Sequence, residues 1–192
     1  SAIYHRLQQG ELSDRLAKLD RWRPPPVERR ALRTLPDPRR KLAFAARSLD
    51  RRTGNGDPIG RLRIERIGLS EFVVEGTDPG DLRTGPGHYP ETPLPGQRGT
   101  VAIAGHRTTY GAPFRKLDKV RPRDEIVLMM PYGRFTYRVE RTRIVEPTAV
   151  WVTQRVSYDR LILSACHPLY SAAQRIVVFA RLVRSEPRGA AA

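Results

Sequence analysis

Glu125-Ile126-Val127-Leu128-Met129-Met130-Pro131-Tyr132-Gly133-Arg134-Phe135-Thr136-Tyr137-Arg138-Val139-Glu140 reads as two strands joined by a tight turn. On the return arm Phe135, Tyr137 and Val139 alternate strictly with Thr136 and Arg138. A period of two sends successive side chains to opposite faces, so one face of this hairpin is apolar and has to be covered. The cluster Pro131-Tyr132-Gly133-Arg134 supplies the reversal.

The same period extends outward from the hairpin. Arg61-Leu62-Arg63-Ile64 alternates, Glu71 to Glu75 is a short apolar run, and Val101, Ile103 and Gly105 alternate with alanines. Leu161 to Ala165 and Arg175 to Val183 supply two further strands, while Pro79 to Thr84 and Pro113 to Leu117 read as single helical turns. Seven or eight strands with one or two short helical turns predict an all-β fold, closed into a barrel because closure removes the sheet edges.

The pattern changes before residue 58. Leu12, Leu16 and Leu19 recur at helical spacing between Glu11 and Trp22, and Pro24-Pro25-Pro26 ends that helix for want of amide donors. A second helix is expected from about Pro38 to Arg52, as a docked arm or a linker, with Leu42, Ala45, Ala46 and Leu49 on its apolar face. Thr53-Gly54-Asn55-Gly56-Asp57-Pro58 marks the boundary. The expected organisation is a basic helical extension over 1–57, a barrel over 58–186 and a flexible tail over 187–192.

Composition bounds the function. Of 35 basic residues only four are lysine (Lys18, Lys41, Lys116, Lys119), against 20 acidic residues, for a net charge of +15. Such a surface attracts polyanions or an anionic membrane face. No apolar stretch approaches the roughly 18–20 residues that span a bilayer. The chain opens Ser1-Ala2 without methionine, which is the expectation for a soluble fragment of a longer, anchored protein. One cysteine admits no internal disulfide.

That cysteine, Cys166, closes the apolar run Leu161 to Ala165, and Arg175 stands nine residues on. If the two flanking strands pair as a hairpin, Cys166 and Arg175 face each other on the strand ends. His106 ends another apolar run, Thr100 to Gly105. The three types suit acyl transfer: a thiolate attacks, an imidazole carries the proton, and a guanidinium holds an oxyanion. Whether the histidine strand lies beside the cysteine strand is left open by the sequence.

The ordered blocks Gly85-Pro86-Gly87-His88-Tyr89-Pro90, Leu94-Pro95-Gly96, Ala102 to Phe114 with its Gly105-His106-Arg107, and Leu163-Ser164-Ala165-Cys166-His167-Pro168 with Arg175 resemble the sortases, class E in particular. The resemblance runs from about Ile59 to Val183. It implies a sortase-type β-barrel, Cys166 as nucleophile, His106 as its acid/base partner and Arg175 as oxyanion and substrate anchor. It further implies cleavage of LAXTG- or LPXTG-type sorting signals after threonine, a thioester, and transfer to an amine of peptidoglycan precursor or of a pilin lysine. The partners would be surface proteins with a C-terminal sorting signal. The protein would act on the extracellular face of a Gram-positive membrane, anchored by an N-terminal helix outside this chain, with 1–57 as a juxtamembrane stalk. No cofactor, metal or nucleic acid is implied. Tyr110 is the candidate for alanine preference at the second motif position. The family usually has threonine directly before the nucleophile, where this chain has Ala165, so a hydroxyl contact there is lost or moved to Ser164.

Simpler readings stand beside these. His88 in its Gly-Pro cluster is expected to hydrogen-bond locally, and His167 is the weaker base because adjacent strand residues face opposite ways. Zinc held by Cys166, His167 and His88 lacks any standard spacing. Tyr132, Phe135 and Tyr137 suit a nucleic-acid platform or, better, hairpin pairs and core. The alternative function is a basic all-β module that binds nucleic acid or anionic wall polymer, with an incidental thiol.

Overall fold

The computed structural model describes residues 2–192. Four helices and eight strands follow one another: α1 (Ala2–Asp20), α2 (Pro26–Thr34), α3 (Pro38–Asp50), β1 (Pro58–Ile64), β2 (Leu69–Glu75), α4 (Pro79–Thr84), β3 (Gly87–His88), β4 (Thr100–Ala104), β5 (Glu125–Met130), β6 (Gly133–Val145), β7 (Arg160–His167) and β8 (Gln174–Pro187). The strands close into a barrel in the order β1-β2-β3-β4-β7-β8-β6-β5. Most neighbours are antiparallel, but β2 pairs with β3 and β4 with β7 in parallel.

The β5–β6 hairpin has the expected register. Ile126 lies opposite Tyr137, Leu128 opposite Phe135 and Met130 opposite Gly133. All of these side chains except glycine's belong to the buried core, and each large one contributes about 1.5–3 kcal/mol by leaving water. On the other face Glu125 meets Arg138 and Met129 meets Arg134. Tyr132, Phe135 and Tyr137 are sealed inside, which removes them as a stacking platform for bases.

The N-terminal segment is docked rather than free. Proline at the first helical position costs no hydrogen bond, so Pro26 both closes off α1 and starts α2, a helix the sequence reading did not anticipate. Asp37 caps α3 by accepting from the Arg39 amide at 2.9 Å. Leu42, Ala45, Ala46 and Leu49 of α3 join the barrel core. Gly133 makes room for this helix, since a Cβ there would lie 2.7 Å from Leu42 Cδ2. Glu28 of α2 accepts from Ser48 and pairs with Arg51 and Arg52 of α3. The Ser48 hydrogen bond, with the two guanidiniums, lowers its carboxyl to about 2 despite partial burial.

α1 runs further than expected, back to Ala2, and buries Leu12 and Leu16. Because β3 is only two residues long, β2 has open backbone groups at Phe72. Gln9 of α1 covers them, accepting from the Phe72 amide at 2.7 Å and donating to the Phe72 carbonyl at 3.4 Å and the Thr84 carbonyl at 2.9 Å. The other terminus also departs from expectation. Residues 187–192, expected as a flexible tail, pack on the barrel end, where Arg188 donates its amide to the Tyr132 carbonyl at 2.9 Å and Ala191 is buried in the core. Residues 113–117 form turns leading into a short 3-10 segment, Leu117–Lys119, in place of the helical turn expected there.

Candidate active site

Strand register brings the three sequence-selected residues to one end of the barrel. Cys166 of β7 lies directly opposite Arg175 of β8, and in a directly opposed antiparallel pair both side chains leave the same face. β4 flanks β7 on its other side, in parallel, with Ala104 level with Ser164. The Gly105 amide donates to the Ser164 carbonyl at 3.0 Å, which carries this pairing one step beyond β4 and brings His106 level with Cys166. A Cβ at Gly105 would lie 2.6 Å from the Phe114 ring, so only glycine lets the chain pass here. The Phe114 amide in turn donates to the His106 carbonyl at 2.9 Å and holds the residue in place.

Alternation along β7 sorts the neighbours of the cysteine. Leu161, Leu163 and Ala165 point into the barrel core, together with Ile176 and Val178 of β8. Ile162 belongs to a second, outer cluster with Ala102, Val177 and Phe179. Ser164, Cys166 and Arg175 therefore share the outer face, while Ala165 faces inward at 4% exposure. Ser164 cannot stand in for a threonine hydroxyl at position 165, because the two side chains emerge on opposite sides of the sheet. That corrects the expectation that the contact could move to Ser164.

A cleft of about 760 Å³ runs along this outer face, lined among others by Tyr89, Gln97, Val150, Ile162, Ser164 and Arg175. Sequence reasoning passed over Tyr89 as a site residue, although it sits in a quoted block. Burial pushes its hydroxyl up, while the Arg175 charge and a Ser164 hydrogen bond pull it back. No local signal marks it; only the fold brings residue 89 beside residues 164 and 175. His88, next to it, is fully buried. Its Nδ1 lies 2.8 Å from Glu75 Oε2, and its Nε2 faces Thr92 Oγ1 at 3.0 Å and the Pro93 carbonyl at 3.2 Å. These partners hold the cleft wall and leave both ring nitrogens engaged, so His88 offers no free nitrogen to zinc.

His106 is half-buried, and its ring centroid is 5.2 Å from that of Tyr110. Tyr110 adopts φ 49°, a left-handed conformation costing a side-chain-bearing residue roughly 1–2 kcal/mol. Arg83, at the end of α4, stacks on the Tyr110 ring with its guanidinium carbon 5.4 Å from the centroid. Burial, with the Arg83 charge added, lowers the pKa of His106 and favours neutral imidazole. Arg175 donates from Nη1 to the carbonyls of Ala172 at 3.0 Å and Gln174 at 2.9 Å. Its Nε and Nη2 make no hydrogen bond among the described residues and so leave one edge of the fork for a ligand.

Comparison with known proteins gives the same picture. The family model described as "Sortase domain" matches residues 62–183. Sortase D of Bacillus subtilis (strain 168) is 33% identical over 133 residues, covering 67% of this chain and 65% of its own length. Sortase SrtE1 of Streptomyces coelicolor is 30% identical over 149 residues, covering 69% of this chain and 42% of its own length. The chain thus spans under two thirds of either relative. The solved structure of sortase E from Streptomyces avermitilis is 35% identical with a TM-score of 0.64, covering 70% of this chain and 93% of that one. A purely polyanion-binding module finds no support in these matches. From its family match, fold and relatives, the chain belongs to the sortase family and is class E-like.

Proposed function

We propose that this protein is a cysteine transpeptidase in which Cys166 is the nucleophile, His106 the proton carrier and Arg175 the oxyanion anchor. The observation that supports it most is the juxtaposition of Cys166 and Arg175 across β7–β8, with His106 level with Cys166 on the adjoining chain.

The steps follow from the chemistry of the three groups. Neutral imidazole takes the thiol proton, and the Cys166 sulfur attacks the carbonyl that follows threonine in the sorting signal. The Nε and Nη2 edge of Arg175 stabilises the resulting oxyanion. His106 returns the proton to the leaving glycine amine as the C–N bond breaks, which leaves a thioester. An acceptor amine then attacks that thioester. A new amide forms, the C–S bond breaks and the thiol regains its proton. Water in place of the amine gives hydrolysis.

The substrates are surface proteins with a C-terminal LAXTG- or LPXTG-type signal, and the acceptor is an amine of peptidoglycan precursor or of a pilin lysine. The protein acts at the cell surface of a Gram-positive bacterium, with residues 1–57 on the membrane side. Tyr110 beside His106 and Ser164 in the cleft are the residues placed to touch the signal.

A peptide panel tests this reading. Signals with alanine or proline at the second position are mixed with diaminopimelate-like or lysine-like amines and followed by mass spectrometry. Cleavage after threonine with amine incorporation is expected. Cleavage elsewhere, or none with any signal, contradicts the proposal.

A further inference from the structure

Arg107 directly follows the proton carrier and is only 4% exposed. A guanidinium so deeply buried needs partners. Its Nη1 donates to the Cys166 carbonyl at 3.4 Å and to His167 Nδ1 at 3.2 Å. Its Nη2 donates to the Arg115 carbonyl at 3.4 Å and pairs with Asp118 Oδ1 at 3.0 Å. The Nε is buried without a hydrogen-bond partner. One side chain therefore ties the end of β7 to the loop after β4 and to the turn that carries Asp118.

Two consequences follow for the nucleophile. A trans peptide is planar, so a Cys166 carbonyl aimed at Arg107 turns the His167 amide to the opposite side. The peptide unit that follows the thiol-bearing residue is thereby held in one orientation. The second consequence concerns the His167 ring. Arginine can only donate, so Nδ1 must accept with its lone pair, and a neutral imidazole then carries its proton on Nε2. In that tautomer neither nitrogen can receive a proton: the Nδ1 lone pair is engaged and Nε2 is already protonated.

We infer that Arg107 is a positioning residue that fixes the peptide after Cys166 and withdraws His167 from proton transfer, leaving His106 to serve the thiol. The inference rests on the proposed roles of Cys166 and His106, and it explains why the imidazole next in sequence to the nucleophile does not compete.

Nitrogen NMR of the histidine-labelled chain tests it at about pH 8, above the ordinary imidazole value of about 6.5. The His167 signals are assigned by their loss in His167→Gln. In the unmodified protein His167 is expected as the Nε2–H tautomer. In Arg107→Met the two tautomers mix, and kcat for peptide cleavage falls on the order of 10- to 100-fold with KM little changed, as misplacement of a reacting group does. Arg107→Lys keeps a cation near Asp118 but not the fork, and recovers part of kcat. A His167 with its proton on Nδ1 in the unmodified protein overturns the inference, whether or not any variant folds. So does a folded Arg107→Met protein that keeps both tautomer and kcat. Turnover retained in Cys166→Ala would remove the nucleophile instead, and the tautomer measurement would still stand by itself.

Discussion

The two ends of the barrel are built on different terms. At the α3 end the apolar residues Leu42, Ala45, Ala46 and Leu49 fill the space, Tyr132 donates to the Pro95 carbonyl at 2.6 Å, and Ala191 packs beneath. At the Cys166 end side chains are half-buried, Tyr110 is held at φ 49°, and a buried Arg107 Nε lacks a partner. One end gains stability from burial, while the other keeps polar groups poised at a cost in stability. Chemistry and stability are thus assigned to opposite ends of one sheet, and substitutions at the two ends should separate activity from folding.

The largest effect is expected from Cys166→Ala, which should abolish peptide cleavage while thermal unfolding stays close to that of the unmodified chain. Arg175→Ala comes next: removal of an oxyanion donor costs about 10²–10³ in kcat, read from steady-state cleavage. At the opposite end, Leu42→Ala should lower stability by about 2–5 kcal/mol in denaturant titration. Its folded fraction should still alkylate Cys166 at the usual rate, and a slowed rate would show the two ends to be coupled.

Smaller changes sharpen the contrast. Glu28 lies on the stabilising side, with its folded carboxyl lowered to about 2 from an ordinary 4.5. A depressed carboxyl stabilises above the unfolded value and loses that contribution as pH falls toward the folded one. Glu28→Gln should therefore cost on the order of 1–2 kcal/mol at neutral pH, with the difference fading between about pH 5 and 2 in unfolding measurements. On the catalytic side, Arg83 disfavours imidazolium at His106. Arg83→Ala should move the His106 NMR titration to higher pH; a move to lower pH, or none, would exclude that coupling.

Legibility in the sequence follows the range of the interactions. The β5–β6 and β7–β8 hairpins are local, so alternation and the nine-residue gap from Cys166 to Arg175 were enough to place them. Alternation was silent on β3, which is two residues long and exists only because Gly87 and His88 pair with both β2 and β4. α2 was hidden behind the triple proline, where one residue ends a helix and another begins the next. The adjacency of His106 and Cys166 depends on parallel pairing across 60 residues, which no local pattern reports. Tyr89 and Arg107 escaped for the same reason, since their roles come from partners far along the chain. The suggestion that Ser164 replaces a threonine hydroxyl failed on a local rule instead, because neighbours in a strand face opposite ways.

The central claim is that acyl transfer passes through Cys166. Incubation with a sorting-signal peptide in the absence of amine, an acid quench and peptide mapping by mass spectrometry test it directly. The account predicts the mass of the peptide fragment ending in threonine on Cys166, released by hydroxylamine and absent in Cys166→Ala. Cleavage after threonine with no adduct on Cys166, persisting in Cys166→Ala, would contradict it.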